Sequence, residues 1–276
     1  RENLEWLWTQ VGSLGDMRLS GWMTAFSPSP AMMSQALEYS LPFSMADAAS
    51  RVFSPYLYGP FYRNPLERIV RRFEYDAVCS DDGPAFFVCA TNVRSGKVKV
   101  FQGTEISTKA LLASACLPTL FQAVEIDGEA YWDGGYTGNP ALFPRDDQSL
   151  PDDIVVVNIN PLLREDVPKD ARAILDRINE ISFNSSLLRE LRAINFVSRL
   201  IAEGTVEKGA MKEVLVHMIA DDDLMNDLNV ATIMIPSPSI ILKLRDAGRA
   251  AADGFFTRHK TKIGVKSSVD LPAMYV

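Results

Sequence analysis

The feature that most constrains the fold is residues 154–159, where five of six consecutive side chains are isoleucine or valine. A strand with apolar side chains on both faces is typical of a parallel sheet covered by helices. A helical pattern follows from about Lys169 to Glu203, with a predicted stop at Gly204, and a second apolar strand is predicted at Val214 to Ala220. These elements predict an α/β fold.

Composition excludes several classes of protein. The 276 residues suffice for one large domain or two small ones, and 28 basic against 35 acidic side chains give a net charge of −7, which argues against a nucleic-acid partner. No run approaches the ~18 apolar residues of a membrane-spanning helix. Cys79, Cys89 and Cys116 share no short spacing, so we expect buried reduced thiols and neither a disulfide framework nor a metal site.

The first quarter of the chain divides into three parts. Leu4, Leu7, Trp8 and Val11 recur at helical spacing and predict an amphipathic helix, unlike a signal peptide. Residues from about 19 to 63 are rich in proline, methionine and aromatic side chains and lack a clear period. Such an insertion either packs on its own domain or forms a lid or lipid-facing cap. Pro65 then opens a predicted helix that runs through Tyr75.

Two hairpins and a short helix are predicted in the middle of the chain. The first hairpin joins residues 85–93 and 97–101, and the second turns at Asp127-Gly128. Between them, Ser107 or Thr108 caps a helix of small residues that must end before Pro118. The second hairpin leads directly to Asp133, Gly134 and Gly135.

The Asp133-Gly134-Gly135 tripeptide has two interpretations. Asp-Gly is a common turn dipeptide, so the three residues alone favour a structural turn. A carboxylate leaving a rigid ladder is also held in a fixed direction, while glycines allow positive φ and close approach of backbone or ligand. Both interpretations stay open on these residues alone.

The surrounding sequence resembles the bacterial branch of the patatin-like phospholipases. In that family a helix ending at a proline is followed by a short hairpin, an Asp-Gly-Gly or Asp-Gly-Ala motif and an Asn-Pro pair. The corresponding residues here are 107–118, 124–135 and Asn139-Pro140, and residues 64–68 and 177–192 also look like that branch. The resemblance implies a single α/β domain over residues 1–276, with a central mostly parallel sheet covered by helices on both faces and with the insertion at about 19–63.

The resemblance also implies a lipid acyl hydrolase that uses a Ser-Asp dyad without a metal or organic cofactor. Asp133 matches the aspartate that activates the serine, and Gly134 and Gly135 match the glycines that let the chain turn away from it. A desolvated carboxylate within about 3 Å of a serine hydroxyl can act as general base, while backbone N–H groups stabilise the oxyanion. The substrate would be a lipid or another acyl ester.

The chain departs from the family at the nucleophile. No Gly-x-Ser-x-Gly occurs in the sequence, and residues 12–15, Gly-Ser-Leu-Gly, do not supply it. Because the family places that element before the position of Arg1, we expect a fold that is incomplete at the N-terminus and inactive alone. A separate N-terminal fragment would then be the partner that supplies the missing strand and serine.

Other polar residues have plainer explanations. His217 lies in an apolar run that favours a core or sheet-face histidine over a catalytic one, and His259 lies near a basic helix end. Asp221, Asp222 and Asp223 lack calcium-loop spacing, so we expect a solvated loop or helix cap. Solvated faces likewise explain two sets of basic residues better than spots that bind anionic headgroups do. These are Arg68, Arg71 and Arg72, and the C-terminal Arg258, Lys260, Lys262 and Lys266.

Two functions from different classes remain. The first is the acyl-ester hydrolase, with Asp133 as base, in a cytoplasmic protein for which peripheral membrane contact stays open. The second is a non-catalytic module that keeps the hydrolase scaffold and binds lipid or a partner. Tyr136 and Asn139 follow the motif and either shape the substrate pocket or make turn hydrogen bonds.

Overall fold

The computed structural model describes residues 2–14, 54–78, 83–118, 120–142, 150–228 and 238–275. Most of the predicted insertion, and Cys79, lie outside these ranges. The described residues form two compact units, residues 1–139 with 227–242 and residues 140–226 with 243–276. Each unit combines strands with helices, which confirms the predicted α/β class. None of the described helices is long and apolar enough to cross a lipid bilayer.

Helix α1, Glu2–Leu14, opens the first unit as the periodicity predicts. The ring of Trp6 lies 4.6 Å below the Arg72 guanidinium. At the other end of the helix, a Cβ placed on Gly12 would approach Ile241 to 3.1 Å. Contacts at both ends therefore fix the helix on its unit. A 3-10 turn follows at Pro55–Phe61, with a kink at Gly59, where φ is 50°.

The helix predicted from Pro65 to Tyr75 is wrong in its extent. The structure has α2 at Glu67–Val70 and a separate α3 at Tyr75–Val78. The Asn64 side chain accepts the Leu66 N–H at 3.0 Å, so a turn precedes the first helical residue. The Tyr75 hydroxyl donates to the Val70 carbonyl at 2.7 Å, which satisfies an acceptor at the end of α2. Proline therefore precedes this helix instead of occupying its first position.

Both predicted hairpins are confirmed and join one antiparallel sheet. Strands β1 (Phe87–Asn92), β2 (Val98–Gln102), β3 (Val124–Ile126) and β4 (Glu129–Asp133) lie in the order β2-β1-β4-β3. The β3–β4 turn has positive φ at both central residues, 51° at Asp127 and 81° at Gly128. That combination defines a type I′ turn, which suits a two-residue hairpin.

Helix α4, Thr108–Ser114, packs on this sheet. The Ser107 hydroxyl caps it by accepting the Ala110 N–H at 3.3 Å, and the helix ends before Pro118 as predicted. Ala110 and Ala113 are fully buried, and their small side chains let helix and sheet approach closely. The core of the unit contains Val88, Ala90, Phe101, Ile106, Ala110, Ala113 and Tyr131.

The second unit contains a parallel strand pair and long helices. Strand β5, Asp153–Asn158, pairs in parallel with β6, Leu215–Ala220, and Val156 lies opposite Met218. Helix α5, Ala171–Ala202, lies between them in sequence, and the chain leaves it through the predicted stop at Gly204, where φ is 71°. A short α6, Asp222–Asn226, follows, and the last α-helix of the described chain is α7, Pro238–His259.

The structure differs from the expectation that β5 is buried on both faces. Val156 is 7% exposed and packs with Leu187, Leu191 and Val216. On the opposite face, Val155 and Val157 are 45% and 67% exposed. Among the described strands β5 pairs only with β6. The described part of the unit therefore covers only the face of β5 that carries Val156, which packs in the core of the unit.

Candidate active site

Asp133 ends strand β4, and three backbone contacts hold it there. Its N–H donates to the Cys116 carbonyl at 2.9 Å. Its own carbonyl accepts the Thr91 hydroxyl at 2.8 Å, and Ala90 lies opposite it in the β1–β4 ladder. Since neighbouring elements hold both sides of the residue, the Cα–Cβ bond has a defined direction. The sequence prediction of a rigidly held carboxylate therefore has a geometric basis.

The side chain of Asp133 caps the 3-10 turn Gly134–Tyr136. Its Oδ1 accepts the Gly135 N–H at 2.7 Å, and Gly134 accepts the N–H groups of Thr137 and Gly138 at 3.1 and 2.8 Å. One carboxylate oxygen is thus anchored inside its own turn. The structural and the catalytic interpretations of the tripeptide are compatible, because the turn is what orients the carboxylate.

Gly134 lets its turn approach the backbone of strand β1 closely, which is one of the two properties expected of the glycines in this motif. A Cβ at this position would lie 2.3 Å from the Cys89 carbonyl oxygen and 2.7 Å from its carbonyl carbon. Neither Gly134 nor Gly135 is among the described residues with positive φ, so the turn does not use that freedom of glycine. Gly134 lets the turn pack directly on strand β1.

Burial dominates the electrostatics of the site. It raises the pKa of the Asp133 carboxyl above its usual value, and the Gly135 N–H offsets part of that effect. Burial also raises the pKa of the Cys116 thiol to about 11, with the Asp133 charge adding to it. The same two causes raise the pKa of Tyr136. A partly desolvated carboxylate with raised basicity suits a general base.

The 3-10 turn at Pro55–Phe61 lies against the segment that follows Cys116. The Gln122 side chain donates to the Pro55 carbonyl at 3.1 Å, and the Tyr56 hydroxyl accepts the Ala123 N–H at 3.1 Å. The Cys116 thiol donates to the Gln122 carbonyl at 3.2 Å. Tyr56 and Leu57 are nevertheless 59% and 69% exposed. Exposed aromatic and aliphatic side chains therefore lie next to the segment that follows Cys116.

The plainer explanations of the other candidates agree with the structure. His217 is fully buried, and its Nε2 lies 2.8 Å from Asp153 Oδ1. Asp221 caps α6 by accepting the Leu224 N–H at 3.1 Å. Cys116 is buried and Cys89 half-buried, and neither forms a disulfide within the described part of the chain. Within the described ranges, no group of three or more His, Cys, Asp and Glu side chains is arranged to hold a metal ion.

Sequence reasoning missed Thr91 and Cys116 as contacts of Asp133. Thr91 lies 42 residues from Asp133, in a strand that the sequence predicts. The sequence does not predict that this strand pairs with β4. Cys116 precedes a proline in the segment quoted for the family resemblance. No local pattern marks either contact, because both depend on pairing between elements distant in sequence.

Fold and site together define a mixed α/β protein with a partly buried carboxylate at the end of a hairpin. Compared with known families, residues 33–144 match the model of the patatin-like phospholipases, and this span includes Asp133, its turn and strands β1 to β4. The match associates this part of the chain with lipid acyl hydrolysis. No similar sequence was found among the curated proteins.

Proposed function

We propose that the protein is a lipid acyl-ester hydrolase in which Asp133 is the general base of a Ser-Asp dyad. The observation that carries the proposal is the Asp133 carboxylate itself, desolvated and held by contacts from Cys116, Thr91 and Gly135. A carboxylate with these properties takes a proton from a nearby hydroxyl more readily than an exposed one does. The bacterial branch of the patatin-like family remains part of this proposal.

The proposed reaction has two steps. A serine oxygen attacks the ester carbonyl while Asp133 removes the serine proton, and the tetrahedral intermediate expels the alcohol, which takes the proton back from Asp133. Water then attacks the acyl-serine, with Asp133 again accepting a proton, and the fatty acid leaves as the serine hydroxyl is restored. Backbone N–H groups would stabilise the oxyanion in both steps.

The serine of this dyad is proposed to come from a segment other than residues 1–276. The motif that presents it in the family, Gly-x-Ser-x-Gly, does not occur in this sequence. The Thr91 hydroxyl donates to the backbone carbonyl of Asp133 and not to its carboxylate. A preceding segment or a second polypeptide would supply the nucleophile.

The test measures ester hydrolysis by two Asp→Asn variants. Each is assayed in two forms: residues 1–276 alone, and a joined form in which a segment with the Gly-x-Ser-x-Gly motif precedes residue 1. Asp133→Asn keeps an oxygen for the Gly135 N–H but loses the base, so we expect kcat to fall by roughly 10²–10⁴-fold in the joined form. Asp127→Asn is the matched control, since asparagine tolerates the positive φ of the type I′ turn. Equal activity of Asp133→Asn and Asp127→Asn would contradict the proposed base.

A second candidate is a binding module that contacts lipid peripherally without catalysis. The observation in its favour is the exposure of Tyr56 and Leu57 on the turn that contacts Gln122 and Ala123. Co-sedimentation with phosphatidylcholine vesicles tests it. Two results together would favour the binding module over the hydrolase. The joined form would bind vesicles without hydrolysing esters, and Leu57→Ser would abolish that binding.

A further inference from the structure

Thr91 lies in strand β1, and its side chain is a buried polar group. The residue is only 5% exposed, and in the ladder it faces Trp132, the residue before Asp133. A buried hydroxyl without partners costs free energy, so its hydrogen bonds indicate what the residue does. Both bonds go to the ends of one turn.

The direction of these bonds follows from the single hydrogen of the hydroxyl. Thr91 Oγ1 lies 2.8 Å from the Asp133 carbonyl oxygen and 2.8 Å from Thr137 Oγ1. A carbonyl can only accept, so Thr91 donates to Asp133 and accepts from Thr137. A chain of hydrogen bonds thus runs from Thr137 through Thr91 to Asp133, and each bond polarises the next.

The two partners are the first and last residues of the Asp133 turn. Asp133 is the N-cap and Thr137 the C-cap of the 3-10 turn Gly134–Tyr136. One atom of strand β1 therefore holds both ends of the turn that contains the Gly135 N–H. Because that N–H anchors Asp133 Oδ1, the orientation of the carboxylate depends on the Thr91 hydroxyl.

We infer that Thr91 is a positioning residue that orients the Asp133 carboxylate by holding both ends of the Asp-Gly-Gly turn to strand β1. The inference that this orientation matters for turnover rests on the proposed function. The holding of the turn does not depend on it. The two statements can therefore be tested separately.

The variants Thr91→Val and Thr91→Ser separate the hydroxyl from the shape of the side chain. Valine keeps the volume and removes both hydrogen bonds, whereas serine keeps the hydroxyl and removes a methyl group. Thr137→Val removes the bond to Thr91 but leaves the bond from Thr91 to Asp133, and it serves as a milder variant should Thr91→Val fold poorly. If Thr91 served only to pack in a buried strand, valine would replace it better than serine would. The inference predicts the opposite order.

The first arm measures amide hydrogen exchange of Gly135 in the isotope-labelled chain. We expect exchange at least about 10-fold faster in Thr91→Val than in the wild type, near-wild-type exchange in Thr91→Ser, and unchanged exchange in β5 and β6 of the other unit. Thr137→Val should lie between these values. Unchanged Gly135 exchange in both valine variants would overturn the inference.

The second arm measures kcat and KM for ester hydrolysis in the form that carries the serine. We expect Thr91→Val to lower kcat roughly 10- to 100-fold with little change in KM, and Thr91→Ser to restore it. A serine variant as impaired as the valine variant would overturn the role of the hydroxyl. If no form hydrolyses esters, the proposed function fails, and Gly135 exchange alone decides whether Thr91 holds the turn.

Discussion

Gly134 and Cys89 lie in backbone contact, and a Cβ on Gly134 would stand 2.3 Å from the Cys89 carbonyl oxygen. The Asp133 turn therefore packs directly on strand β1, in which Thr91 lies two residues after Cys89. The close approach, the Thr91 hydrogen bonds and the Cys116 carbonyl together place the carboxylate.

Gly134→Ala should destabilise the first unit, because its methyl group would collide with backbone that cannot rotate away. We expect a loss of about 1–3 kcal/mol or more in the free energy of unfolding, measured with urea. Gly248→Ala is the matched control, since no atom lies within 4 Å of a Cβ there and the site is helical. The control should be neutral or slightly stabilising. Equal stability of the two variants would refute the close contact.

Asp133→Asn should stabilise the protein at neutral pH although it lowers kcat. Burial raises the pKa of Asp133 in the folded state, so its ionisation favours unfolding as pH rises through that value. At pH below the ordinary aspartate pKa the carboxyl is protonated in both states, and the advantage of asparagine should disappear. Urea unfolding at several pH values measures this. The difference in unfolding free energy between Asp133→Asn and wild type should be more favourable to the variant at pH 7 than at pH 3. The opposite order would contradict the raised pKa of Asp133.

Asp153 should show the opposite pH dependence. The Gly264 N–H, at 2.8 Å from Oδ1, lowers the pKa of this carboxyl, and His217 at 2.8 Å adds to the effect. Its contribution to stability is present above the unfolded pKa and is lost as pH falls through the lower folded value. Asp153→Asn should therefore destabilise at pH 7 and have less effect near pH 3. Asp152→Asn, whose exposed side chain lies 3.9 Å from the Lys212 amine, should change stability at pH 7 less than Asp153→Asn does.

Cys116 should resist alkylation in the folded protein. Its thiol is fully buried, and a pKa of about 11 leaves only ~0.1% thiolate at pH 8. Iodoacetamide labelling followed by peptide mass spectrometry should modify Cys116 only after unfolding, whereas the half-buried Cys89 should react first. Rapid native labelling of Cys116 would show that the region around Asp133 opens to solvent.

Local patterns predicted much of the fold. The Asp127-Gly128 turn, the Ser107 cap and the helix end at Gly204 each depend on neighbouring residues, and all three are confirmed. The extent of α2 was mispredicted because Asn64 competes locally for backbone groups. The exposure of Val155 was not predictable, since it depends on which elements cover the strand.

The candidate site was predicted at Asp133, Gly134 and Gly135 but not around them. The motif identifies the carboxylate, whereas its environment comes from β1 and from the segment at Cys116. Pairing between these distant elements converts an ordinary turn dipeptide into a desolvated, oriented carboxylate. Sequence spacing alone carries no information on that pairing.

Covalent trapping of the nucleophile tests the central claim most directly. A fluorophosphonate ester labels a serine only when a base activates it, and peptide mass spectrometry locates the label. The account predicts labelling of a serine outside residues 1–276, lost in Asp133→Asn and retained in Asp127→Asn. Labelling that persists in Asp133→Asn would contradict the assignment of Asp133 as the base.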